Sequence, residues 1–194
     1  LAKICRAVGH AHHHGILHRD LKPHNVMIDG RTGEPMLTDF GLAKTVGRGG
    51  AGETSRIRLG ARPPSGPVDL TQAGEIIGTP LYMAPEQINP SRGEVSKRTD
   101  VFSLGVMLYE CLTGRVPFDG ESVVNIFDAI LSKRPTPPRQ LRDSVPSDLQ
   151  AIAMRALEKS PLARYRTATE MAKDLERFLQ KKPVLGVTHR APAQ

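Results

Sequence analysis

The segment HRDLKPHN, residues 18–25, concentrates histidine, arginine, aspartate, lysine and asparagine within a single loop. Short apolar pieces flank it at residues 16–17 and 26–28, so the polar residues lie between two elements that the core can hold. Asp20 and Lys22 are two positions apart, and in an extended loop their side chains point to the same side. A carboxylate beside an ammonium group can accept the proton of an alcohol while the cation neutralises a phosphoryl group. This loop therefore predicts phosphoryl-transfer chemistry.

A second group of oxygen donors follows in the sequence TDFG, residues 38–41. Asn25 and Asp39 would lie on adjacent short strands, and each offers an oxygen donor from its side chain. Mg²⁺ takes few protein ligands and completes its shell with phosphate and water. The two residues are thus candidate ligands of Mg²⁺, or Mn²⁺, beside the Asp20–Lys22 pair.

The elements that must position these residues can be read from apolar spacing. Apolar residues at 1, 4, 5, 8 and 11 have helical spacing, and Gly15 is a suitable residue to end that helix. Residues 16–38 read as short strands and turns, with a β-hairpin around the turn GRTGE. Residues 45–74 are rich in Gly, Arg and Pro and predict a mobile loop, to which we assign no structure.

The rest of the chain predicts helices. Residues 101–112 are apolar almost all round, which indicates a central buried helix ended by Gly114. Further amphipathic helices are expected at 122–131, after a capping box at Ser147, and after a second box at Thr167. The inward faces of the last two are predicted to include Leu149, Ile152, Ala153, Ala156 and Leu157, and Met171, Leu175, Phe178 and Leu179. The predicted class is mainly α with a small β element.

Composition excludes several classes of protein. The chain of 194 residues has a net charge of +7, but its basic residues are scattered and aromatics are only 4%. A base-stacking nucleic-acid surface is therefore not expected. No run approaches the roughly 18 apolar residues that a membrane-spanning helix needs. Two distant cysteines, Cys5 and Cys111, predict no disulfide and favour a reducing, cytoplasmic location, while a membrane tether elsewhere in a longer chain stays open.

Three consecutive histidines, His12, His13 and His14, invite a metal-site interpretation. Successive helix positions point about 100° apart, so three in a row cannot converge on one ion. We interpret them as a partly exposed helix end. The first residue is Leu1, and the chain begins with helical spacing and no cap, which predicts that it is a piece of a longer protein.

HRDLKPHN, DFG and MAPE occur here in the order and spacing of the eukaryotic-like serine/threonine protein kinases, and the helical half resembles the bacterial members. The resemblance extends from Leu1 to about Pro183. It implies that Asp20 is the catalytic base and that Lys22 contacts the γ-phosphate. The other residues it assigns are Asn25 and Asp39 as metal and nucleotide ligands, Met27 as the floor of the adenine pocket, Thr79 in the peptide platform, His18 stacked on Phe40 beside Gly41, Glu86 paired with Arg166, and Asp100 as anchor of the catalytic loop.

Arg19 lies beside Asp20 and can receive a phosphate from the long loop that follows. The candidate acceptors are Thr54, Ser55, Thr71 and Thr79. We favour Thr71, because it precedes the platform by eight residues, a reach that suits Arg19.

The same resemblance sets expectations for the whole protein. Residues 1–183 would form the helical C-lobe of a kinase domain, with a long activation segment at 39–86 and a tail or linker at 184–194. The N-lobe, with its glycine-rich loop and strand lysine, is not in this sequence. The expected reaction uses ATP and Mg²⁺ and phosphorylates Ser or Thr in protein substrates, but the fragment alone should be inactive. The alternative is a non-catalytic, kinase-like binding scaffold.

Overall fold

The computed structural model describes residues 1–39, 44–45 and 80–185. These residues are mainly helical with a small β element, as predicted. The helices are α1 (Ala2–His13), α2 (Pro85–Ile88), α3 (Lys97–Thr113), α4 (Val123–Ser132), α5 (Pro138–Leu141), α6 (Ser147–Ala156) and α7 (Ala168–Leu179). The strands are β1 (Ile16–Leu17), β2 (Val26–Ile28), β3 (Pro35–Leu37) and β4 (Lys44–Thr45).

Helix α3 is the centre of the fold. Its residues 99–109 are all buried, which explains why the sequence is apolar almost all round. Ser96 caps its N-terminus by accepting a hydrogen bond from the Arg98 amide, and Gly114 ends it in a left-handed conformation with φ 77°. Helices α1, α6 and α7 pack around one side of it, and α2 and α4 lie near the other. The predicted central helix is confirmed.

Two glycines allow helices to approach closely. A Cβ at Gly9 in α1 would lie 2.2 Å from Thr169 Oγ1 of α7. A Cβ at Gly105 in α3 would lie 2.7 Å from the Cβ of Ala156 in α6. Both distances are shorter than real Cβ contacts, so these interfaces depend on the absence of a side chain at those positions.

The predicted hairpin is present as the antiparallel pair β2–β3, with Val26 opposite Leu37 and Met27 opposite Met36. Asp29 holds its turn, because Asp29 Oδ1 accepts from the amides of Arg31 and Thr32. These hydrogen bonds also lower the pKa of the Asp29 carboxyl below its usual range. A second antiparallel pair joins β1 to β4.

Three details of the helix predictions are wrong. Ser147 does not cap α6, since it is the first helical residue and Pro146 precedes it. Leu179 is not inward but 71% exposed, because it lies in the last turn of α7. Thr167 does cap α7, but Glu170 accepts from the Arg166 amide instead of completing the box.

Among the described residues, no helix is both long and apolar enough to cross a bilayer.

Candidate active site

One buried carboxylate of α3 binds the backbone of the loop that follows β1. Asp100, in the first turn of α3, accepts from the backbone amide of His18 at 2.9 Å and from that of Arg19 at 2.8 Å. Asp100 is 0% exposed, so these two amides replace the water that an ionised carboxylate needs. The predicted anchoring contact of Asp100 is therefore present, and it fixes the backbone immediately before Asp20.

The polar side chains of the loop converge as their spacing predicts. Lys22 Nζ lies 2.7 Å from Asp20 Oδ2, and both side chains are partly exposed. Asn25 Nδ2 donates to the Asp20 carbonyl at 2.7 Å and lies 3.4 Å from Asp20 Oδ2. A carboxylate, a cation and an amide thus share one small region at the surface of the loop.

Hydrogen bonds from Thr38 to Asn25 bring the neighbouring residue, Asp39, close to this group. Thr38 donates to the Asn25 carbonyl from its amide at 2.9 Å and from its hydroxyl at 3.3 Å. Asp39 follows Thr38 with φ 60°, and Arg19 has φ 68°. A positive φ is uncommon for residues other than glycine. Such a backbone conformation persists only where surrounding contacts impose it, and it occurs often at functional sites. Asn25 and Asp39 are therefore brought to adjacent segments.

The donors at this place suit the expected magnesium ion. Asn25 uses its amide nitrogen for Asp20, which directs its Oδ1 away from that contact. Asp39 is exposed and contributes a carboxylate. One amide oxygen and one carboxylate fit an ion that is held by one or two protein residues and completes its shell with phosphate and water.

Two histidines connect the loop to its surroundings. His18 is buried, and its Nε2 donates to the Thr38 carbonyl at 3.2 Å, which links the loop to the segment before Asp39. His12 is also buried, and its Nε2 lies 2.7 Å from Asp100 Oδ2. The interpretation of His12 as part of an exposed helix end is therefore wrong. The signal was available, because His12 continues the buried stripe of Ile4, Cys5 and Val8 at helical spacing.

The same loop is also hydrogen-bonded to α2, through the carbonyl of Arg19. Gln87 Nε2 donates to the Arg19 carbonyl at 2.9 Å, and Gln87 Oε1 accepts from the Ala84 amide. The backbone of Arg19 is thus bound on both faces, by Asp100 and by Gln87. Sequence reasoning did not single out Gln87, because a glutamine after APE carries no distinctive pattern of its own.

The partner predicted for Glu86 is wrong. Glu86 pairs with Arg164 at 2.7 and 2.8 Å in a two-pronged, fully buried contact. Arg164 also donates to the carbonyls of Glu158, Arg98 and Lys159, so all five of its N–H groups have an acceptor. Arg166 lies at the surface, with a side chain that is 77% exposed, and pairs with Glu170.

The stretch that leads into α2 is fixed against α3. Tyr82 donates its hydroxyl to Glu110 Oε2 at 2.7 Å, and the Tyr82 carbonyl accepts from Ser103 Oγ at 2.8 Å. Burial, and then the Glu110 carboxylate, raise the pKa of the Tyr82 hydroxyl above its usual range. These two hydrogen bonds hold the residues just before Ala84 in place.

Thr79, the predicted platform residue, lies outside the described residues, as do Phe40, Gly41 and Thr71.

Met27, the predicted floor of the adenine pocket, is 55% exposed on the hairpin. A groove of about 930 Å³ lies elsewhere, between α6 and α7. Three of its acids are already paired, Glu176 with Arg6, Glu170 with Arg166 and Asp174 with Tyr165. No residue of the catalytic loop lines this groove.

Comparison with known proteins places these features in context. A family model described as the protein kinase domain matches residues 1–175. The chain is similar to the serine/threonine-protein kinase PknB of Mycobacterium leprae, with 39% identity over 184 residues, covering 94% of this chain and 26% of that protein. It is 34% identical over 176 residues to the serine/threonine-protein kinase PrkC of Bacillus subtilis, covering 91% and 24%. The chain spans about a quarter of the length of these curated relatives.

Proposed function

This chain belongs to the protein kinase domain family, and from that premise we propose that it carries the base, metal ligands and peptide platform of a serine/threonine protein kinase. One observation carries the proposal. Asp100 binds the amides of His18 and Arg19, so that the next residue, Asp20, is presented beside Lys22 and Asn25. The printed names of the similar bacterial proteins support the choice of serine and threonine as acceptors.

In the proposed reaction, Asp20 accepts the proton of a Ser or Thr hydroxyl on a protein substrate. The hydroxyl oxygen forms a bond to the γ-phosphorus of ATP, the bond to the β-phosphate oxygen breaks, and ADP leaves. Lys22, 2.7 Å from Asp20, supplies a positive charge where the transferred phosphoryl group develops negative charge. The rigid backbone of Arg19 keeps Asp20 in position throughout.

Asn25 and Asp39 would hold the magnesium ion. When bound, the ion neutralises charge on the nucleotide phosphates. The hydrogen bond from Asn25 Nδ2 to the Asp20 carbonyl orients the amide, and the bonds from Thr38 to the Asn25 carbonyl keep the two segments together. These contacts pre-organise the oxygen donors before any ligand arrives.

We propose that residues 1–183 form the C-lobe of a two-lobed kinase domain and that this chain alone does not transfer phosphate. The exposure of Met27 supports this proposal, because a residue that floors an adenine pocket should be covered when the domain is complete. The 194-residue chain mixed with radiolabelled ATP, Mg²⁺ and a general protein substrate should show no transfer. Clear transfer would show that no second lobe is required.

The catalytic assignment is tested in the full-length protein. Asp20→Asn should lower kcat by roughly 10²–10⁴, the usual contribution of a positioned base. Asp39→Asn should abolish metal-dependent turnover. Asp143→Asn is the matched control, since Asp143 is an exposed aspartate in the stretch between α5 and α6. Unchanged turnover in Asp20→Asn would overturn the mechanism, and no transfer by the intact wild-type protein would favour the scaffold alternative.

Regulation by phosphorylation is a further part of the proposal. Arg19 Nε is buried and has no hydrogen-bond partner among the described residues, while the Arg19 backbone is held on both sides. A phosphate would supply the missing acceptor through a charge-assisted hydrogen bond. We expect autophosphorylation at Thr71 in the full-length protein and lower activity in Thr71→Ala. Mass spectrometry that finds Thr71 unmodified, together with a fully active Thr71→Ala, would exclude this site.

A further inference from the structure

The C-terminal end of α1 carries three exposed histidines that the proposed reaction does not use. His10, His13 and His14 are exposed, whereas His12 is occupied by Asp100. His10 and His14 are four positions apart, so they lie on the same face of the helix. Their ring centres are 4.5 Å apart. Unlike three consecutive histidines, two histidines four positions apart can face one ion.

The tautomer of His14 is determined by its hydrogen bond. His14 Nδ1 lies 2.9 Å from the His10 carbonyl oxygen, and a carbonyl only accepts. Nδ1 therefore carries the hydrogen, which leaves the lone pair of neutral His14 on Nε2. Histidines that bind metals almost always donate their other ring N–H to a carbonyl or carboxylate in this manner. His14 is pre-oriented as an Nε2 ligand.

We propose that His10 and His14 form a binding site for a first-row divalent transition metal ion, with Cu²⁺ or Ni²⁺ as the preferred class. With metal–nitrogen bonds of about 2.0–2.1 Å, two imidazoles bound at adjacent corners of a square have ring centres roughly 4.5 Å apart. The observed separation of 4.5 Å matches that arrangement. Water fills the other positions, since the described residues provide no third side chain of the usual ligand types.

The position of the site favours a cation and connects it to the catalytic loop. The last carbonyls of a helix carry partial negative charge, and His14 is the C-terminal cap of α1. His12, between the two ligands in sequence, binds the Asp100 carboxylate that holds the loop. An ion on His10 and His14 would stabilise the turn of α1 that presents His12.

The test is titration of the metal-free full-length protein with Cu²⁺, followed by calorimetry and electron paramagnetic resonance. We expect one tight site with coupling to two imidazole nitrogens. His10→Ala and His14→Ala should each weaken that site by at least roughly 10–100-fold, the effect seen for loss of an outer-shell partner of a ligand. His13→Ala is the matched control and should leave it intact, because the His13 ring meets the His14 ring edge-on with ring centres 5.6 Å apart, wider than the roughly 4.5 Å of two imidazoles at adjacent corners of a square.

A second readout is thermal stability, because an ion that binds only the folded protein raises Tm. Cu²⁺ should raise Tm in wild type and His13→Ala but not in His10→Ala or His14→Ala, and all four proteins should have the same Tm without metal. The proposal is overturned if no tight site exists, if both substitutions leave it intact, or if His13→Ala removes it equally.

Discussion

Arg164 connects α2, the start of α3 and the turn before α7 through one side chain. Its removal would leave Glu86 as a buried carboxylate without its cation, and breaking a buried pair from one side costs about 3–5 kcal/mol. We predict that Arg164→Met lowers the free energy of unfolding by about that amount, measured by denaturant titration. The reason is the burial of both partners, each with a side chain that is 0% exposed.

Arg166→Met is the matched control at the same scale. Arg166 lies two residues away, is 77% exposed and makes a surface ion pair of the kind that contributes about 0–1 kcal/mol. We expect little change in its unfolding free energy. If Arg166→Met were the more destabilising variant, the pairing of Glu86 with Arg164 would be wrong.

At the scale of elements, the contact between α3 and α6 depends on Gly105. A methyl group there would meet the Cβ of Ala156 at 2.7 Å and its backbone carbon at 3.2 Å. Gly105→Ala should therefore destabilise the protein by about 1–3 kcal/mol, the usual cost of overpacking a core. The double variant with Ala156→Gly should recover part of the loss, because the shorter contact is removed.

Gly30→Ala provides the comparison for that experiment. A Cβ at Gly30 meets nothing within 4 Å. Its unfolding free energy should stay within about 0.5 kcal/mol of wild type, as for most surface substitutions. Equal losses of unfolding free energy in Gly30→Ala and Gly105→Ala would indicate a general effect of replacing glycine and would contradict a specific role of the contact between α3 and α6.

The end of α4 is held by Lys159, which makes stability depend on pH. Lys159 Nζ donates to the carbonyls of Ala129 and Ile130 and lies 3.6 Å from the centre of the Phe118 ring. These contacts favour the ammonium form, but burial, followed by the charges of Arg164 and Arg92, lowers the pKa of Lys159 to about 7 from 10.5. Burial and the neighbouring cations outweigh the favourable contacts.

The sign of the pH dependence follows from that pKa. Between pH 7 and 10.5 the unfolded chain keeps the proton on Lys159 longer than the folded protein, so this group makes stability rise with pH in that window. Below pH 7, Lys159 is protonated in both the folded and the unfolded state, and the full cost of burying its charge lowers the stability of the folded protein. The rise between pH 6.5 and 9.5, measured by denaturant titration, should be smaller in Lys159→Met. Lys133→Met, at an exposed position that caps α4, should keep the wild-type slope.

At the scale of the whole molecule, the hairpin presents an apolar pair to solvent. Met27 and Met36 face each other across β2 and β3 and are 55% and 47% exposed. We predict that the 194-residue chain binds a hydrophobic dye such as anilinonaphthalene sulfonate there, and that Met27→Gln with Met36→Gln lowers the fluorescence. Leu162→Gln is the control, because Leu162 is 80% exposed but lies far along the chain in another turn. An equal effect at Leu162 would contradict a role for the hairpin.

Much of the fold could be predicted because it depends on local pattern. The burial of α3, its end at Gly114, the hairpin around Asp29 and the cap at Thr167 follow from residues a few positions apart, whose spacing determines which side they face. The convergence of Asp20 with Lys22 and Asn25 is local in the same sense, since all three belong to one loop. The family resemblance added the long-range contact of Asp100 with that loop.

Other contacts required the tertiary structure, because equivalent residues competed for them. Arg164 and Arg166 flank the same tyrosine and have the same chemistry, and only the path of the chain through the turn before α7 directs Arg164 inward and Arg166 to solvent. His12 and His13 are likewise adjacent and identical, yet the packing of α1 against α3 places one on Asp100 and the other at the surface. Sequence shows which groups are available for pairing. Packing selects among them, because burying a charged group costs free energy unless that group is paired and hydrogen-bonded.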